Sequence, residues 1–337
     1  MRDRHNMPGK RAIERIAIVG AGVSALAAAH RIVAAGLGVT LFDKGRGPGG
    51  RMSTRCHGMH NFDHGAQYFT ARDARFQEVV DGWLATGAAA VWDVSIAVIG
   101  NDRRIRQAET KTRYVGTPRM NAVVAALTDG LDVRFGTRVD RVCRETRVWT
   151  LTDPDGDSLG EFDSVLVAIP PVQVTELLAQ YANAFAELKT VVMAPCWTLM
   201  AAFEDHIDAP FDAAMIEHSP LSWAARNTSK PERLGLECWV LHGSPGWSRE
   251  HIECGAEQVR DAMLAAFART VARDIPKPAL GITHRWRYAR TERPLGVDSL
   301  WNADLSLGVC GDWCLGARVE AAFLSGLSLA ERVIGSR

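Results

Sequence analysis

The sequence has few lysines, few tyrosines and no excess of charge of either sign. Its 337 residues contain 39 Lys plus Arg and 39 Asp plus Glu, so the formal net charge is zero at pH 7. A neutral chain has no overall field to attract nucleic acid or an anionic membrane, and we expect neither as a partner. Only six of the basic residues are lysines, and the chain has only four tyrosines. Both scarcities bear on the choice of substrate.

Long apolar runs are also missing. A membrane helix needs about 20 consecutive apolar residues, and the longest candidates are interrupted early, at His30 and Arg31 and again at Pro170 and Pro171. The first 15 residues are polar and basic and lack the apolar segment of a secretory signal. We therefore predict a cytoplasmic protein in which residues 1–12 form a disordered extension.

The seven cysteines do not form a metal-binding pattern. They are scattered, and Cys310 and Cys314 have no second pair to complete a zinc site. Without a signal peptide the simplest interpretation is reduced thiols, with Cys310 and Cys314 as two small buried residues. We predict no metal site.

The chain begins with a strand-helix-strand pattern. Residues 15–19 predict a short buried strand, and residues 39–42 predict a second strand. Between them, residues 24–35 are rich in Ala, Leu and Ile and predict a helix that ends at Gly36. Such a unit predicts two parallel strands with a right-handed helical crossover.

The turn between the first strand and the helix is Gly20-Ala21-Gly22-Val23-Ser24-Ala25, the pattern G-x-G-x-x-A. Gly20 permits the tight turn, Gly22 lets the backbone approach a pyrophosphate, and Ala25 allows close packing of helix on strand. Free N–H groups at the helix N-terminus attract phosphate. Asp43, at the end of the second strand, can accept hydrogen bonds from ribose hydroxyls. The alternative is a glycine turn in another kind of α/β protein, which the flanking strands and the acid disfavour.

A second glycine-rich segment follows Lys44 at residues 45–53 and ends in Gly49-Gly50-Arg51-Met52-Ser53. Glycines allow a loop to wrap a second phosphate or the ribityl chain of a flavin, and Arg51 can pair with phosphate. Simple NAD dehydrogenases do not need this second cradle, so the segment favours a flavin cofactor.

These segments resemble known flavin signatures. Residues 20–51 resemble the FAD-binding signature of the flavin amine oxidase superfamily, and residues 311–326 resemble its second flavin signature. The resemblance implies that Asp312 contacts the ribityl or pyrophosphate region, and that the last helix begins, near Val319 and Glu320, at the flavin pyrimidine edge. A helix N-terminus there would stabilise the negative charge of reduced flavin. On its own this Asp would predict only a turn with a helix cap.

Further motifs resemble the renalase family, particularly its bacterial members. They are residues 42–54, 62–69, 116–120, 239–242 and 284–288, and the likeness covers nearly all of the chain from about Ile13. The resemblance implies an FAD held without a covalent bond, and it places Val139 beside the adenine. The cofactor-binding residues predicted in this way are Gly20, Gly22, Val23, Ser24, Ala25, Asp43, Lys44, Gly50, Arg51, Met52, His64, Gly65, Ala66, Gln67, Val139, Gly311, Asp312, Arg318, Val319 and Glu320.

We therefore predict an α/β fold, with a Rossmann-type FAD-binding domain of the glutathione-reductase-2 and amine oxidase type and an inserted α+β substrate domain. The FAD-binding domain would be discontinuous and consist of residues 13–75, 112–172 and 296–337, and the substrate domain of residues 76–111 and 173–295. The strands predicted after the first unit include 91–100, 162–169, 198–203, 234–241 and 283–288, and the helices include 76–84, 257–272 and 319–334.

Two departures from the superfamily pattern weigh against simple amine oxidation. Amine oxidases of the superfamily commonly carry a Tyr two residues before the acid that corresponds to Glu320, and here this position is Arg318. A guanidinium beside the flavin opposes a cationic amine but suits a phosphate-bearing ligand. These enzymes also often use a Lys to hold a water near the flavin, and neither Lys230 nor Lys277 lies in a recognisable motif.

The renalase resemblance implies an oxidase of misformed dihydronicotinamide dinucleotides, the 2- and 6-dihydro isomers of NAD(P), which yields NAD(P)+ and, with O2, hydrogen peroxide. Hydride loss makes the nicotinamide ring aromatic, so no general base is needed. Apart from residues 45–50, which belong to the second glycine-rich cradle, no G-x-G-x-x-G pattern follows Gly22. The dinucleotide would therefore enter a cleft by its nicotinamide end. The alternatives are an amine oxidase or desaturase acting on a small amine or apolar substrate, and a flavin-binding sensor without turnover.

The candidate catalytic residues at the flavin face are Gln67, Tyr68, His242, Trp286 and Tyr288. The two last aromatics alternate with Arg285 and Arg287, which predicts a strand with one aromatic and one basic face. Core packing is the alternative for these aromatics, and a structural hydrogen bond is the alternative for His242. The alternative role for His64 is to hold the loop near the flavin. Trp223 and residues 227–231 are predicted to lie in a loop at the rim.

Overall fold

The predicted β-α-β unit is present at the start of the fold. In the computed structural model, which describes residues 13–100 and 104–336, β1 (Arg15–Val19), α1 (Val23–Ala34) and β2 (Gly38–Asp43) follow one another, and β1 pairs with β2 in parallel. The extension predicted at residues 1–12 lies outside the described residues.

The rest of the chain adds strands to two large sheets and helices to their faces. The further strands are β3 (Thr54–His57), β4 (His60–Asp63), β5 (Ala89–Val91), β6 (Ile96–Ile99), β7 (Ile105–Gln107), β8 (Tyr114–Gly116), β9 (Asp132–Phe135), β10 (Arg141–Glu145), β11 (Val148–Thr152), β12 (Ser158–Phe162), β13 (Ser164–Val167), β14 (Val192–Phe203), β15 (Ala213–Ile216), β16 (Leu221–Arg226), β17 (Glu237–Gly243), β18 (Leu280–Arg293), β19 (Leu300–Asn302) and β20 (Leu307–Val309). The further helices are α2 (Ala74–Thr86), α3 (Ala122–Ala126), α4 (Pro171–Leu177), α5 (Pro245–Glu250), α6 (Ala256–Val271), α7 (Asp312–Leu315) and α8 (Val319–Ile334), and 3-10 turns lie at Gly50–Met52, Ala179–Thr190 and Asn227–Ser229. No helix within residues 13–100 and 104–336 combines the length and apolar composition of a bilayer span.

The first sheet has six strands in the order β19-β20-β13-β1-β2-β9, and all its pairs are parallel except β19 with β20. Both faces of β1 are buried because different layers cover them. Ile16 and Ile18 pack against α1 and α8 on one face. Ala17 and Val19 pack on the other face against the antiparallel sheet β10-β11-β12, around Trp149. These three layers confirm the predicted Rossmann-type α/β fold.

The second sheet has seven strands in the order β18-β14-β17-β16-β15-β6-β7, antiparallel except for β15 with β6. On one face Met263 and Phe267 of α6 pack with Trp239 of β17. Strands were predicted at 198–203 and 283–288, but β14 and β18 extend much further and form a long antiparallel pair. The predicted bounds of the cofactor and substrate domains stay a prediction.

Two predicted strands are each divided in the structure. The strand predicted at 162–169 is β12 followed by β13, because Asp163 turns the chain from one sheet into the other. The Asp163 N–H donates to the Arg15 carbonyl oxygen at 2.8 Å, and its carboxylate accepts the N–H groups of Glu14 and Arg15. The strand predicted at 91–100 is β5 followed by β6, which pair in different sheets.

The prediction of a loop or rim is wrong for Trp223, whereas residues 227–231 follow β16 as a 3-10 turn and a loop. Trp223 lies inside β16, which pairs with β15 on one side and β17 on the other. Asn227 and Lys230 are buried rather than exposed at a rim. The run of small and apolar residues in β16 is therefore a central strand, and the polar residues after it turn inward.

The first and last helices are in backbone contact. Gly326 of α8 faces the start of α1, where a Cβ atom on residue 326 would lie 2.0 Å from the carbonyl oxygen of Ser24. A side chain cannot occupy that space in a close-packed interior, so glycine is required for this approach. The contact holds the first turn of α1, which carries the phosphate-binding pattern, against the C-terminal helix.

Replacement of Gly326 by alanine should destabilise the fold by about 1–3 kcal/mol, because the helices must separate to admit the methyl group. Gly82 is the matched control: it lies inside α2 and has nothing within 4 Å of its Cβ position. Gly82→Ala should therefore stabilise the protein by about 0.5–1 kcal/mol. Urea unfolding of both variants measures the difference, and equal effects of the two substitutions would contradict the packing argument.

Candidate active site

A cavity of about 730 Å³ lies where the two large sheets meet. Residues just after β1, β13 and β20 line it, at the carboxyl edge of the sheet where open α/β folds bind ligands. Predicted site residues that line it are Gly22, Val23, Ser24, Arg51, Met52, His64, Gly65, Ala66, Gln67, Tyr68, His242, Trp286, Gly311, Asp312, Arg318 and Val319. Predicted residues that do not line it are Gly20, Ala25, Asp43, Lys44, Gly50, Val139, Tyr288 and Glu320.

The first β-α turn leaves backbone N–H groups open to the cavity. Gly20 has φ +105°, and a Cβ there would lie 2.8 Å from the Ala168 carbonyl oxygen. Gly22 caps α1 without any side-chain hydrogen bond, so N–H groups of the first turn are available to an anion. Val23 and Ser24 follow it along the cavity wall. This cradle of backbone fits the phosphates of a nucleotide cofactor.

Asp43 lies at the end of β2, as predicted for a ribose acceptor, and its carboxylate also organises the turn. Its Oδ2 accepts the Ala21 N–H at 2.7 Å, and its Oδ1 accepts the Gly45 N–H at 2.6 Å. Asp43 therefore joins the two glycine-rich segments, and its oxygens keep lone pairs for a ribose hydroxyl. Lys44 lies at the surface, where its Nζ donates to Gln173 at 3.4 Å.

An ion pair connects the second glycine-rich segment, residues 45–53, to the segment that begins at Gly311. Arg51 donates to both carboxylate oxygens of Asp312, at 3.0 and 2.5 Å, and the Thr291 hydroxyl donates to the same carboxylate at 3.1 Å. A two-pronged pair of this kind fixes the plane of both groups. The pair thus holds the loop of residues 45–53 against the turn that begins α7, with both charged side chains at the cavity wall.

The carboxylate of Glu320 bonds to protein backbone, and the predicted cofactor contact of this residue stays a prediction. Glu320 is buried, and its Oε1 accepts the N–H groups of Arg72 and Asp73, at 2.5 and 2.8 Å. A buried carboxylate needs such donors, and these lie at the start of α2. Glu320 therefore holds α2 to α8, while Arg318 and Val319 are the residues of this segment that line the cavity.

Two aromatics of β18, Trp286 and Tyr288, were predicted to face the cavity, and Trp286 does line it. It stacks on His64 with ring centroids 5.1 Å apart, and its Nε1–H donates to the His64 carbonyl oxygen at 3.1 Å. The Thr198 hydroxyl donates to the same carbonyl at 3.2 Å. The loop after β4 is thereby fixed against the second sheet.

Tyr288, the other aromatic, does not line the cavity, and the predicted alternation fails at this point of β18. The pairing of β14 with β18 shifts register between Ala194 and Cys196. Such a shift re-aims the side chains that follow it. Residues 289 and 290 line the cavity in place of Tyr288.

A buried charge cluster adjoins the cavity. The inaccessible Asp63 carboxylate accepts from Lys230 at 3.2 Å and Arg233 at 2.7 Å, as well as from the Thr54 hydroxyl and the Met120 N–H. Burial alone would raise the pKa of Asp63, but the charges of Lys230 and Arg233 outweigh it and lower the pKa to about 2. Sequence reasoning missed this cluster because its members are far apart in the chain. The scarcity of lysine was the only hint.

Lys230 also orients an amide at the cavity wall. Its Nζ donates to Gln67 Oε1 at 3.2 Å, so the Gln67 amide nitrogen turns away and donates to the carbonyl oxygens of Asp63 and Gly65. The same nitrogen lies 3.5 Å from His242 Nε2. One buried cation therefore fixes the orientation of two predicted catalytic side chains.

The histidines at the cavity, His64 and His242, are neutral near pH 7. Burial lowers the pKa of His64 to about 4, with a further contribution from His284, and burial together with the charge of Lys230 lowers the pKa of His242 to about 4. Burial also lowers the pKa of Lys230 to about 8, although Asp63 opposes the shift. The imidazoles therefore act as uncharged hydrogen-bonding groups at physiological pH.

The cavity is basic although the chain as a whole is neutral. Its cationic lining residues are Arg51, Arg72, Lys111, Arg113, Arg290 and Arg318. Among the described lining residues Asp312 is the one carboxylate, and Arg51 already pairs with it. Lys111 and Arg318 pair with Glu109 and Glu320, which do not line the cavity, so the net positive charge of the lining comes mainly from Arg72, Arg113 and Arg290. This charge favours an anionic ligand and opposes a cationic one.

The three-layer fold and the backbone cradle define the class of protein, a Rossmann-type α/β protein. The model of the flavin containing amine oxidoreductase family matches residues 76–334, well over half of the chain. The chain therefore belongs to this family. A second model, described as an NAD(P)-binding Rossmann-like domain, matches residues 18–83. These matches confirm the predicted superfamily, whereas the renalase branch stays a prediction.

Individual proteins agree with this assignment. Over 118 residues the chain is 35% identical to phytoene desaturase (neurosporene-forming) of Rhodobacter capsulatus, an alignment that spans 34% of this chain and only 22% of the desaturase. A protein described as a protoporphyrinogen oxidase from Exiguobacterium sp. 255-15 has a TM-score of 0.78 at 14% identity, covering 96% of this chain and 99% of that one. Cyclohexylamine oxidase from Brevibacterium oxydans IH-35A has a TM-score of 0.72 at 12% identity, with the same coverage. At such identities the two structures show the fold alone.

Replacement of Asp63 by asparagine should destabilise the protein by about 3–5 kcal/mol, because it leaves two buried cations without a counter-charge. The exposed Asp81→Asn is the matched control and should change stability by less than about 0.5 kcal/mol. Denaturant unfolding at pH 7 checks both values.

The lowered pKa of Asp63 also predicts how the stabilities of the wild type and the Asp63→Asn variant change at acid pH. Since the pKa of Asp63 is lowered from 3.8 to about 2 in the fold, its contribution is complete above pH 4 and is lost as the pH falls toward 2. The Asn variant should therefore lose less stability than the wild type over that interval. Equal losses of stability in the two proteins as the pH falls would contradict this role of Asp63.

Proposed function

We propose that the protein is an FAD-dependent oxidase of misformed dihydronicotinamide dinucleotides, the 2- or 6-dihydro isomers of NAD(P), and that it yields NAD(P)+ and hydrogen peroxide. This is the activity of the renalase family, which the sequence motifs resemble. The observation that carries the proposal is the basic cavity, since guanidinium and ammonium groups suit a substrate that bears phosphates.

We propose FAD, held without a covalent bond, as the cofactor; when bound, it supplies hydride acceptance at N5 and reoxidation by O2. Residues 22–24 would hold its phosphates, Asp43 its ribose, Val139 its adenine, and Arg51 with Asp312 its ribityl or pyrophosphate region. Cys196 is a cavity-lining thiol, and burial raises its pKa to about 12. Its thiolate is therefore scarce at neutral pH, which supports a non-covalent cofactor.

The inner wall of the cavity supports a planar, uncharged ring. Trp286 and the neutral His64 and His242 supply apolar and hydrogen-bonding surface, and Gln67 supplies an amide held in one orientation. These groups can position a nicotinamide ring and its carboxamide without removing a proton. Since the ring becomes aromatic on losing a hydride, the residues need only bind, orient and exclude water.

Anaerobic mixing with 2- or 6-dihydro-NAD should bleach the flavin at least about a hundredfold faster than mixing with putrescine or cyclohexylamine. The physical reason is that the basic cavity concentrates an anionic donor and repels a cationic one. Stopped-flow absorbance at the flavin bands measures both rates. Absence of bleaching by either isomer would rule the proposal out.

An amine oxidase or desaturase is the alternative, and one observation favours it. Lys230 is buried beside Gln67 at the cavity wall, whereas amine oxidases of this superfamily often use a lysine near the flavin. Bleaching by amines at rates that support turnover would favour this alternative. The rate comparison above therefore separates the two functions in one experiment.

The rate of flavin reduction should be independent of pH between about 5.5 and 7, because His64 and His242 stay neutral over this interval. It should fall as the pH rises through about 8, where Lys230 loses the charge that stabilises developing negative charge nearby. Lys230→Met should give a lower rate without the inflection near pH 8. An inflection between pH 6 and 7, or its persistence near 8 in the variant, would contradict this assignment.

A further inference from the structure

Arg113 and Trp223 line the cavity and each carries a buried N–H group without a partner. The Nε–H of Arg113 and the Nε1–H of Trp223 have no acceptor within the described part of the chain. The two residues are only 7% and 8% exposed. Buried donors in folded proteins nearly always meet an acceptor, and both open groups here are donors. The two unpaired N–H groups indicate a ligand whose atoms accept hydrogen bonds from them.

The two donors are brought together around Tyr68. The Arg113 guanidinium lies over the Tyr68 ring at 5.4 Å, and the Trp223 ring centroid is 5.8 Å from that of Tyr68. The terminal nitrogens of Arg113 are held by backbone, since Nη1 donates to the Lys111 carbonyl and Nη2 to the Glu109 carbonyl, each at 3.1 Å. These bonds fix the side chain and leave Nε–H for a ligand.

Arg113 has no hydrogen bond or ion pair to a carboxylate among the described residues. It contacts carbonyl oxygens and the Tyr68 ring, and the exposed Glu109 carboxylate, which feels its charge, is already paired with Lys111. A buried cation without an ion partner is unfavourable unless an anion joins it. Arg72 lines the same cavity and adds positive charge, whereas Lys111 and Arg318 are paired with Glu109 and Glu320. A bound oxyanion supplies both the hydrogen-bond acceptors and the negative charge that the surroundings of Arg113 lack.

We propose that Arg113 and Trp223 form an oxyanion subsite around Tyr68 that binds the diphosphate of the substrate. The identity of the occupant rests on the function proposed above, whereas the oxyanion chemistry rests on the two open donors. The subsite is built from the segment before β8 and from β16, so it is distinct from the cradle of residues 22–24. It would fix the distal part of a dinucleotide while the nicotinamide end reaches the inner wall.

The first test compares substrates with and without phosphate on the FAD-loaded protein. The wild type should have a KM at least about tenfold lower for 2-dihydro-NAD than for 2-dihydronicotinamide riboside. Arg113→Gln should remove most of this difference by raising the KM for the dinucleotide more than the KM for the riboside. The matched control Arg141→Gln, an exposed arginine on β10, should behave as the wild type. A KM raised equally for both substrates would overturn the subsite.

The second test does not require turnover. Calorimetric titration of the FAD-loaded protein with inorganic pyrophosphate should show binding that Arg113→Gln weakens at least about tenfold. Trp223→Phe, which keeps an aromatic ring but lacks the N–H, should weaken it by a smaller factor, and flavin content confirms that each variant is folded. Binding that both variants retain in full would overturn the proposal.

The two tests also separate this inference from the proposed function. Pyrophosphate binding that depends on Arg113, in a protein whose flavin no dihydronicotinamide bleaches, would support the subsite while the proposed function fails. Binding of succinate but not of pyrophosphate would support an oxyanion subsite and overturn the diphosphate as its occupant.

Discussion

The cavity depends on the neutralisation of one buried carboxylate. Asp63 receives donors from β3, from Met120 shortly before α3, and from the segment around Lys230 and Arg233. Because a carboxylate shut away from water must be met by charge and hydrogen bonds, these parts of the chain are held together at one point. The lysine that supplies part of this charge also turns the Gln67 amide. Charge balance and the shape of the inner wall therefore have one physical origin.

The distribution of charge matters more here than its total. The chain is neutral overall, yet the cavity is lined by six basic side chains and one carboxylate in its described part. Composition alone excludes general attraction to polyanions, but it does not report a local field inside a cleft. The excess of arginine over lysine suits such a place, since guanidinium stays charged when partly buried and binds oxyanions directionally.

Local patterns made the beginning and end of the fold predictable. The β-α-β unit with its G-x-G-x-x-A turn and the final helix at 319–334 follow short-range rules of periodicity and capping. The site was less predictable because its decisive contacts join distant residues. No local signal pairs Asp63 with Lys230, and the register shift that keeps Tyr288 from the cavity arises only when β14 meets β18. The acceptor role of the Glu320 carboxylate likewise becomes visible only where α8 meets α2.

The backbone contact between Gly326 and Ser24 has a consequence for how the protein matures. The nucleotide cradle lies at the start of α1, whereas the helix that braces it begins only at Val319. A nascent chain can fold its first β-α-β unit early and must still wait for α8 before that turn is supported. Cofactor capture is therefore expected to follow the synthesis of α8, and chains that stop before this helix should emerge without cofactor.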